Sequence, residues 1–244
     1  MPGHTLRLQR EQLWEEFIRW AFGAVVLCIG LAVQLSQIKG AETTVSVWVA
    51  VLVFGLSSGL CTVAALRKLR AQRPLHLGLL GEQAMAEELQ PLAAQGYRVF
   101  HDIPGDGKWN IDHVAVGPAG VFAIETKCRA KRASPNGMRA QDAVFDGKAI
   151  RFPWYQDHQS VEQAQRNAKW LAGMLSKATG EKVSAQALVA LPGWWVTLKA
   201  NCDVKVLSGK QVAGFIVNQP TRLPDKVLQQ IAYQLDQRCR DVEF

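Results

Sequence analysis

The chain has 244 residues, enough for one large or two small domains, and its five cysteines include no CxxC pair, so neither a disulfide framework nor a zinc site is indicated. The net charge of +7 divides into +4 over residues 1–73 (eight Lys/Arg, four Asp/Glu) and +3 over residues 74–244 (twenty and seventeen). More than half of the excess therefore lies in the first third, and the remainder is too mildly basic to argue for a nucleic-acid partner by charge alone.

Hydrophobic residues make up 48% of the chain, but they are concentrated near its start. No residue is charged between Trp20 and Ile38, or between Thr43 and Leu66. A helix of ~20 residues spans about 30 Å, the thickness of a bilayer's hydrocarbon core. The second segment fits easily; Gln34, Ser36 and Gln37 dilute the first. A cleaved leader would be shorter and closer to Met1, and neither segment shows the polar face of a soluble core helix. The expectation is a two-helix transmembrane hairpin over residues 20–66. Arg7, Arg10 and Arg19 precede it; Arg67, Lys68, Arg70 and Arg73 follow; only Lys39 lies between. By the positive-inside rule both ends face the cytoplasm, with residues 39–43 as an outside turn, in an integral protein of the bacterial inner membrane type. No ionisable residue interrupts the apolar segments, which argues against an ion or proton path.

The expected domains are a cytoplasmic segment (1–19), the hairpin (20–66), a basic linker (67–75), a central domain (76–192) and a C-terminal α/β extension packing on it (193–244). Ala71–Pro74 reads as linker. Leu79–Ala94 reads as a helix, with Leu80, Ala84, Leu89 and Leu92 available to a core and Gly96 ending it. A strand over Tyr97–Asp102 is followed by the turn "PGDGKWN". Ile111–Val116 and Val121–Lys127 read as two strands joined by "GPAG", a hairpin signal. Residues 130–156 look polar and irregular, with turn signals "SPNG" and "DGK". A helix over Gln159–Lys177 presents Val161, Ala164, Ala168, Leu171 and Leu175 on one face. "AQALVALPG" is a further strand, "DVKVLS" another, and Pro224 opens a last helix. This order describes an α/β domain around a small mixed sheet.

The stretch "GPAGVFAIETKCRA" carries the chemistry. Its strand is apolar up to Ile124, then ends on Glu125 and Lys127, which share a face because strand side chains repeat every two residues. With Val116 paired to Val121 across the hairpin, counting back puts Asp112 opposite Glu125, give or take one residue. Carboxylates ~5 Å apart repel each other, and a hard divalent ion such as Mg²⁺ would remove that conflict. An ordinary Glu–Lys ion pair at a sheet edge is the competing reading, and periodicity alone does not decide between them.

The motifs do go further. Asp112, then Glu125-Thr126-Lys127 after a hairpin, resembles the D…ExK signature of the PD-(D/E)xK nuclease superfamily. "GLLGEQAMAEEL", "NIDHVAVGPAGVFAIETK" and "SVEQAQRNAKWLAGML" resemble, in order and spacing, the nuclease-related domain (NERD) family from about Leu77 to Leu191. The resemblance implies a restriction-endonuclease-like mixed sheet flanked by helices, with Asp112, Glu125 and the backbone carbonyl of Thr126 as metal ligands and Lys127 as the catalytic lysine. It makes Glu82 a further catalytic acid and candidate ligand, although a helix dipole would favour an acid in a first turn anyway. Gln163 matches the glutamine of the second helix and could equally be a boundary residue. The proline expected before it is absent: the chain reads Ser160-Val161-Glu162-Gln163, with Pro153 ten residues upstream. His113 alternates with Asp112 and should face away from the metal; Trp109 and Trp154 suit stacking on bases, or a core or lid. The implied activity is a membrane-anchored, Mg²⁺-dependent nuclease (Mn²⁺ as substitute), with DNA ahead of RNA as substrate and Arg129, Lys131, Arg132 and Arg139 as contacts to its backbone. The alternative is a non-catalytic, membrane-tethered binder or scaffold on the same fold. Self-association is left open.

Overall fold

The computed structural model describes residues 2–36, 44–107, 109–132 and 137–240. The expected outside turn at 39–43 lies outside the described residues, as does most of the "SPNG" signal. The chain divides into one compact unit over Thr5–His76 and another formed by Met1–His4 with Leu77–Phe244.

In the first unit, helix α1 (His4–Ser36) lies beside the opening part of helix α2 (Thr44–Leu89). Their contacts run antiparallel. Lys68 pairs with Glu16, the open side of Gly23 faces Cys61 Sγ, Cys28 Sγ is 3.1 Å from Ser58 Oγ, and Gly30 faces the ring of Phe54. Both helices are long and apolar enough to cross a membrane, and their most apolar windows are 0% and 6% buried within the protein. Ile18, Phe22, Ile29, Trp48, Leu52 and Leu56 all point outward.

The stretch read as a linker is helical: α2 carries through Ala71–Arg73 and holds Pro74 inside. Pro74 costs one backbone hydrogen bond. The run Arg67-Lys68-Leu69-Arg70-Ala71-Gln72-Arg73 consists of strong helix formers, which offset that loss. The expected core face of this stretch is also corrected. Leu79, Glu82, Met85 and Leu89 are buried, while Leu80 is exposed and Ala84 only half-buried. A 3₁₀ turn over Gln90–Gln95 then ends at Gly96 in the left-handed conformation.

The second unit is built on a five-stranded sheet. Strands β1 (Arg98–Pro104), β2 (Asn110–Gly117) and β3 (Gly120–Thr126) are antiparallel neighbours. Strands β7 (Ala185–Leu191) and β9 (Lys205–Ser208) continue the sheet parallel to β3, in the order β1-β2-β3-β7-β9. The β2–β3 register is Val116↔Val121 and Gly117↔Gly120, as the turn signal implies. Gly117 is required there because a Cβ would lie 2.1 Å from the Tyr97 ring.

Each face of the sheet is covered. Val121 and Ala123 join a core with helix α3 (Gln159–Thr179) and helix α5 (Asp225–Arg240); Phe122 and Ile124 join another with the end of α2 and helix α4 (Gly209–Val217). Burial on both faces is why β3 reads as a continuous apolar run rather than an alternating one. All five apolar residues expected on α3 are buried.

Residues 130–156 are not irregular throughout. Strands β4 (Asp142–Phe145), β5 (Ile150–Arg151) and β6 (Gln156–Asp157) form a second sheet with β8 (Trp195–Leu198), in the order β6-β5-β4-β8. The "DGK" turn joins β4 to β5, its Asp146 Oδ1 accepting from the Lys148 and Ala149 amides. Strands of two to four residues carry no legible period, and β4 finds its parallel partner some fifty residues later. Residues 193–244 thus contribute a strand to each sheet as well as α4 and α5. Leu89→Ala, which empties a fully buried site in the α2–α4 core, should destabilise the chain by ~2–5 kcal/mol in thermal or denaturant unfolding.

Candidate active site

The strand ends supply the first side chains. Extending the β2–β3 register one step beyond His113↔Ile124 puts Asp112 opposite Glu125. The Thr126 amide donates to Asp112 Oδ2 at 2.7 Å, tying the two strand ends together. Glu125 is 2% exposed. Its Oε1 accepts from Lys127 Nζ at 2.6 Å, so the acid and base share a face as their spacing requires. Lys127 itself is anchored on the next strand, its amide donating to the Ala190 carbonyl at 2.9 Å.

Helix α3 supplies the second layer. Lys127 Nζ also donates to Gln163 Oε1 at 3.2 Å. The missing proline does not displace Gln163, because Asp157 does the capping: Asp157 Oδ1 accepts from the Ser160 amide at 2.9 Å and Oδ2 from its hydroxyl at 2.8 Å. Burial alone would raise the Asp157 carboxyl, but the Ser160 donors, the Tyr155 hydroxyl and Arg129 outweigh it and hold it below its ordinary value. One turn beyond Gln163, Asn167 Nδ2 donates to Glu125 Oε2 at 2.9 Å. Sequence reasoning missed Asn167, although its i, i+4 spacing from Gln163 was the available signal. Asn167→Leu would leave a buried carboxylate oxygen without its donor, so a loss of about 1–3 kcal/mol is expected in unfolding at pH 8.

Helix α2 brings Glu82. It lies deep inside a long helix, far from the first turn at Thr44, so the dipole gives no reason for an acid there. It is buried in line with Leu79, Met85 and Leu89, and its Oε2 has no hydrogen-bond partner among the described residues. Burial, then the charges of Asp102 and Glu125, push its carboxyl up to about 7. Burial, then Glu125 and Glu82, hold Asp112 well above the ordinary carboxylate range. Burial raises Glu125 as well, against the pull of Lys127.

Asp102 is a fourth acid that sequence reasoning missed. In the β1–β2 register it falls opposite Asp112, between His101↔His113 and Ile103↔Ile111. Its φ of 58° is rare for a residue with a side chain, and Asn110 Nδ2 donates to its Oδ1. Counting the β1–β2 hairpin as the β2–β3 hairpin was counted would have revealed it. His113 is fully buried and bonds His101 between their Nδ1 atoms at 2.7 Å, and burial followed by His101 pushes it down to about 3.

Among the described residues, no three His, Cys, Asp or Glu side chains converge closely enough to enclose a metal ion by themselves. The donors nevertheless fit a cation that keeps much of its water. Mg²⁺ commonly takes one or two carboxylates together with waters. Here the charges of Glu125 and Glu82 raise the proton affinity of Asp112, Glu125 also raises that of Glu82, and the Glu82 Oε2 is buried without a partner among the described residues.

The basic run divides on folding. Arg129 donates to the Tyr155 hydroxyl at 2.8 Å and to Asp157 at 3.2 Å, and Arg139 pairs with Asp142 at 3.0 Å. Lys131 and Arg132 are exposed. Asp157 lies twenty-eight residues beyond Arg129, out of reach of a local charge count, whereas Asp142 is only three residues beyond Arg139. Trp154 packs with Phe152 and Trp194, while Trp109 is partly exposed and meets Trp170 edge-on at 4.9 Å.

No curated protein and no solved structure matches the chain. The family model of the nuclease-related domain matches residues 77–192, the stretch that contains Glu82, Asp112, Glu125, Lys127 and Gln163. Residues 77–192 therefore belong to the nuclease-related domain (NERD) family.

Proposed function

We propose that the chain is a membrane-anchored nuclease that hydrolyses nucleic-acid phosphodiester bonds with the help of a divalent cation, Mg²⁺ first and Mn²⁺ as substitute. The observation that carries this reading is the gathering at one sheet rim of three mutually repelling carboxylates with a lysine held by glutamine and glutamate. The interior strands β2 and β3 have no structural need for that set, and burying it costs stability.

Asp112, Glu125 and the Thr126 carbonyl would hold the cation, with Glu82 assisting. When bound, the ion supplies a Lewis acid for the phosphate and lowers the pKa of a coordinated water. Gln163 and Glu125 aim the Lys127 ammonium, which positions the attacking water and offsets charge gathering on the phosphoryl oxygens. The water oxygen joins phosphorus, one P–O ester bond breaks, and the products are a phosphate monoester end and a hydroxyl end. Asn167 keeps Glu125 in place. Lys131 and Arg132 are the members of the basic run left to meet substrate phosphates, with DNA ahead of RNA, and binding should weaken with salt.

The outward apolar faces of α1 and α2 support insertion in a bilayer. The distribution of Lys and Arg supports a cytoplasmic nuclease domain, an orientation suited to a bacterial inner membrane. A non-catalytic binding module is the second reading. It is favoured by the closed Lys127–Glu125 pair and by the Lys127 and Asn167 donors that already engage both Glu125 oxygens.

The full chain in detergent should be incubated with supercoiled plasmid, linear DNA and single-stranded RNA, in Mg²⁺, Mn²⁺ or EDTA. Cutting that requires the cation and stops in EDTA supports the nuclease. Retention of nucleic acid without cutting under any condition supports the binding module.

A further inference from the structure

The nuclease reading leaves unexplained a second feature at the same sheet rim. Strands β3, β7 and β9 are parallel, so their carboxyl ends lie side by side: Thr126 pairs with Ala190, and Leu191 with Ser208. At ~4.8 Å between neighbours, the end of β9 lies about 10 Å from the end of β3. In open α/β sheets, ligands sit beyond the carboxyl ends of the strands. A cavity of about 480 Å³ opens there, lined by Pro192, Trp194, Trp195 and Lys210, with Glu88 across from them on α2. Helix α2 therefore supplies Glu82 to the carboxylate group and Glu88 to the cavity.

The construction of this wall sets the two tryptophans in opposite directions. Gly193, at φ 77°, turns the chain after β7, and the Trp194 amide donates back to the Leu191 carbonyl at 3.2 Å. Trp194 goes inward, meeting Phe152 at 4.8 Å and Trp154 at 5.5 Å. Trp195 goes outward and is 69% exposed. Its backbone is nevertheless fixed: its amide donates to the Gln141 carbonyl at 2.9 Å, and it pairs with Asp142 in the β4–β8 ladder. A large aromatic ring held in water on a rigid strand costs little entropy to engage. Positive charge flanks it. Lys210 is exposed on the rim, and Lys131, carried across from the end of β3, has its Nζ 3.9 Å from where a Cβ on Gly193 would stand. Neither lysine has an acidic partner within 4.0 Å among the described residues.

An aromatic platform with two lysines nearby, on the same sheet rim as the proposed cutting centre, matches the chemistry of an unstacked base flanked by its phosphates. Bases inside a duplex already stack on each other and cannot offer a face to Trp195. Resting on the proposed nuclease reading, we infer that this cavity takes an unpaired nucleotide next to the scissile phosphate, so that the substrate class is single-stranded nucleic acid or the frayed end of a duplex. The base stacks on Trp195, while Lys131 and Lys210 receive the flanking phosphates.

The test is fluorescence anisotropy on the detergent-solubilised full chain in EDTA, where no cutting occurs. The probes are a labelled thymidine strand of about 12 nucleotides, an abasic strand of the same length and a blunt duplex, a length within the usual reach of such sites. The thymidine strand should bind tightest. Trp195→Ala should weaken it roughly tenfold and bring it level with the abasic strand, since one stacked base is worth about 1–3 kcal/mol. Trp195→Phe should restore most of that loss, and Lys210→Ala should flatten the salt dependence by about one phosphate contact. Thermal unfolding of each variant confirms that the exposed substitutions leave the fold intact. Equal binding of duplex and single strand, or Trp195→Ala binding like the wild type, overturns the assignment. If the wild type cuts DNA in Mg²⁺ while Trp195→Ala binds unchanged, only the cavity is misassigned. If the wild type neither binds nor cuts any nucleic acid, the nuclease reading fails with it.

Discussion

Lys127→Ala should lower the rate of the proposed Mg²⁺-dependent cutting by about 10²–10³-fold, the usual cost of removing one preorganised charge from a developing anion. The Lys127 ammonium sits 2.6 Å from Glu125 and 3.2 Å from Gln163, and neither partner can replace its charge. Gln163→Ala should cost less, because it frees Lys127 to wander without removing it. Asp112→Ala should be at least as severe as Lys127→Ala, because it strips a candidate ligand and the acceptor of the Thr126 amide together. Single-turnover gel assays on the full chain measure all three. Wild-type rates in both Lys127→Ala and Asp112→Ala would remove the catalytic assignment.

The second large effect is on stability, and it reverses with metal. In the folded chain Glu82 holds its proton up to about pH 7, whereas the same carboxyl unfolded releases it near 4.5. Between those values the folded state binds the extra proton, so stability falls as pH rises through the window and this group causes no further loss above it. A shift of that size corresponds to about 3 kcal/mol from Glu82 alone. The raised Asp112 and Glu125 carboxyls act in the same direction. A divalent cation prefers the ionised carboxylates. Millimolar Mg²⁺ should therefore raise the Tm clearly at pH 8 and very little at pH 5. Asp112→Asn removes one of the repelling charges and keeps an oxygen for the Thr126 amide. It should melt higher than the wild type at pH 8 in EDTA and respond less to Mg²⁺. Identical melting curves with and without the cation at pH 8 would contradict the metal-site reading.

Much of this site was legible before the fold was known, because its placement is local. Glu125 and Lys127 share a face through the two-residue period of a strand. Asp112 meets Glu125 because a tight turn at Gly117–Gly120 sets the register of a hairpin. The apolar face of α3 was equally legible, since its residues repeat along a single helix. Motif resemblance then attached Glu82 and Gln163, which no local period could have linked to the strands.

Other features depended on contacts between residues far apart in the chain. The segment over 130–156 contains strands only because β8 arrives to pair with β4. Arg129 meets Asp157 only through the fold, from twenty-eight residues along the chain. Pro74 looked like a break in a linker, yet the helix formers before it carry α2 from the apolar hairpin into the nuclease-related domain. Asn167 gained its position against Glu125 from the packing of α3 on β3. The sequence by itself therefore determined the two apolar helices and the strand pair that carries Asp112, Glu125 and Lys127, because short periods and tight turns encode them directly, while the order and spacing of its motifs pointed to the domain family. Only the tertiary structure decided which charges are neutralised, which carboxylates are buried together and which aromatic ring remains exposed. Those outcomes depend on which distant residue supplies the counter-charge or covering surface, and no local pattern specifies that partner.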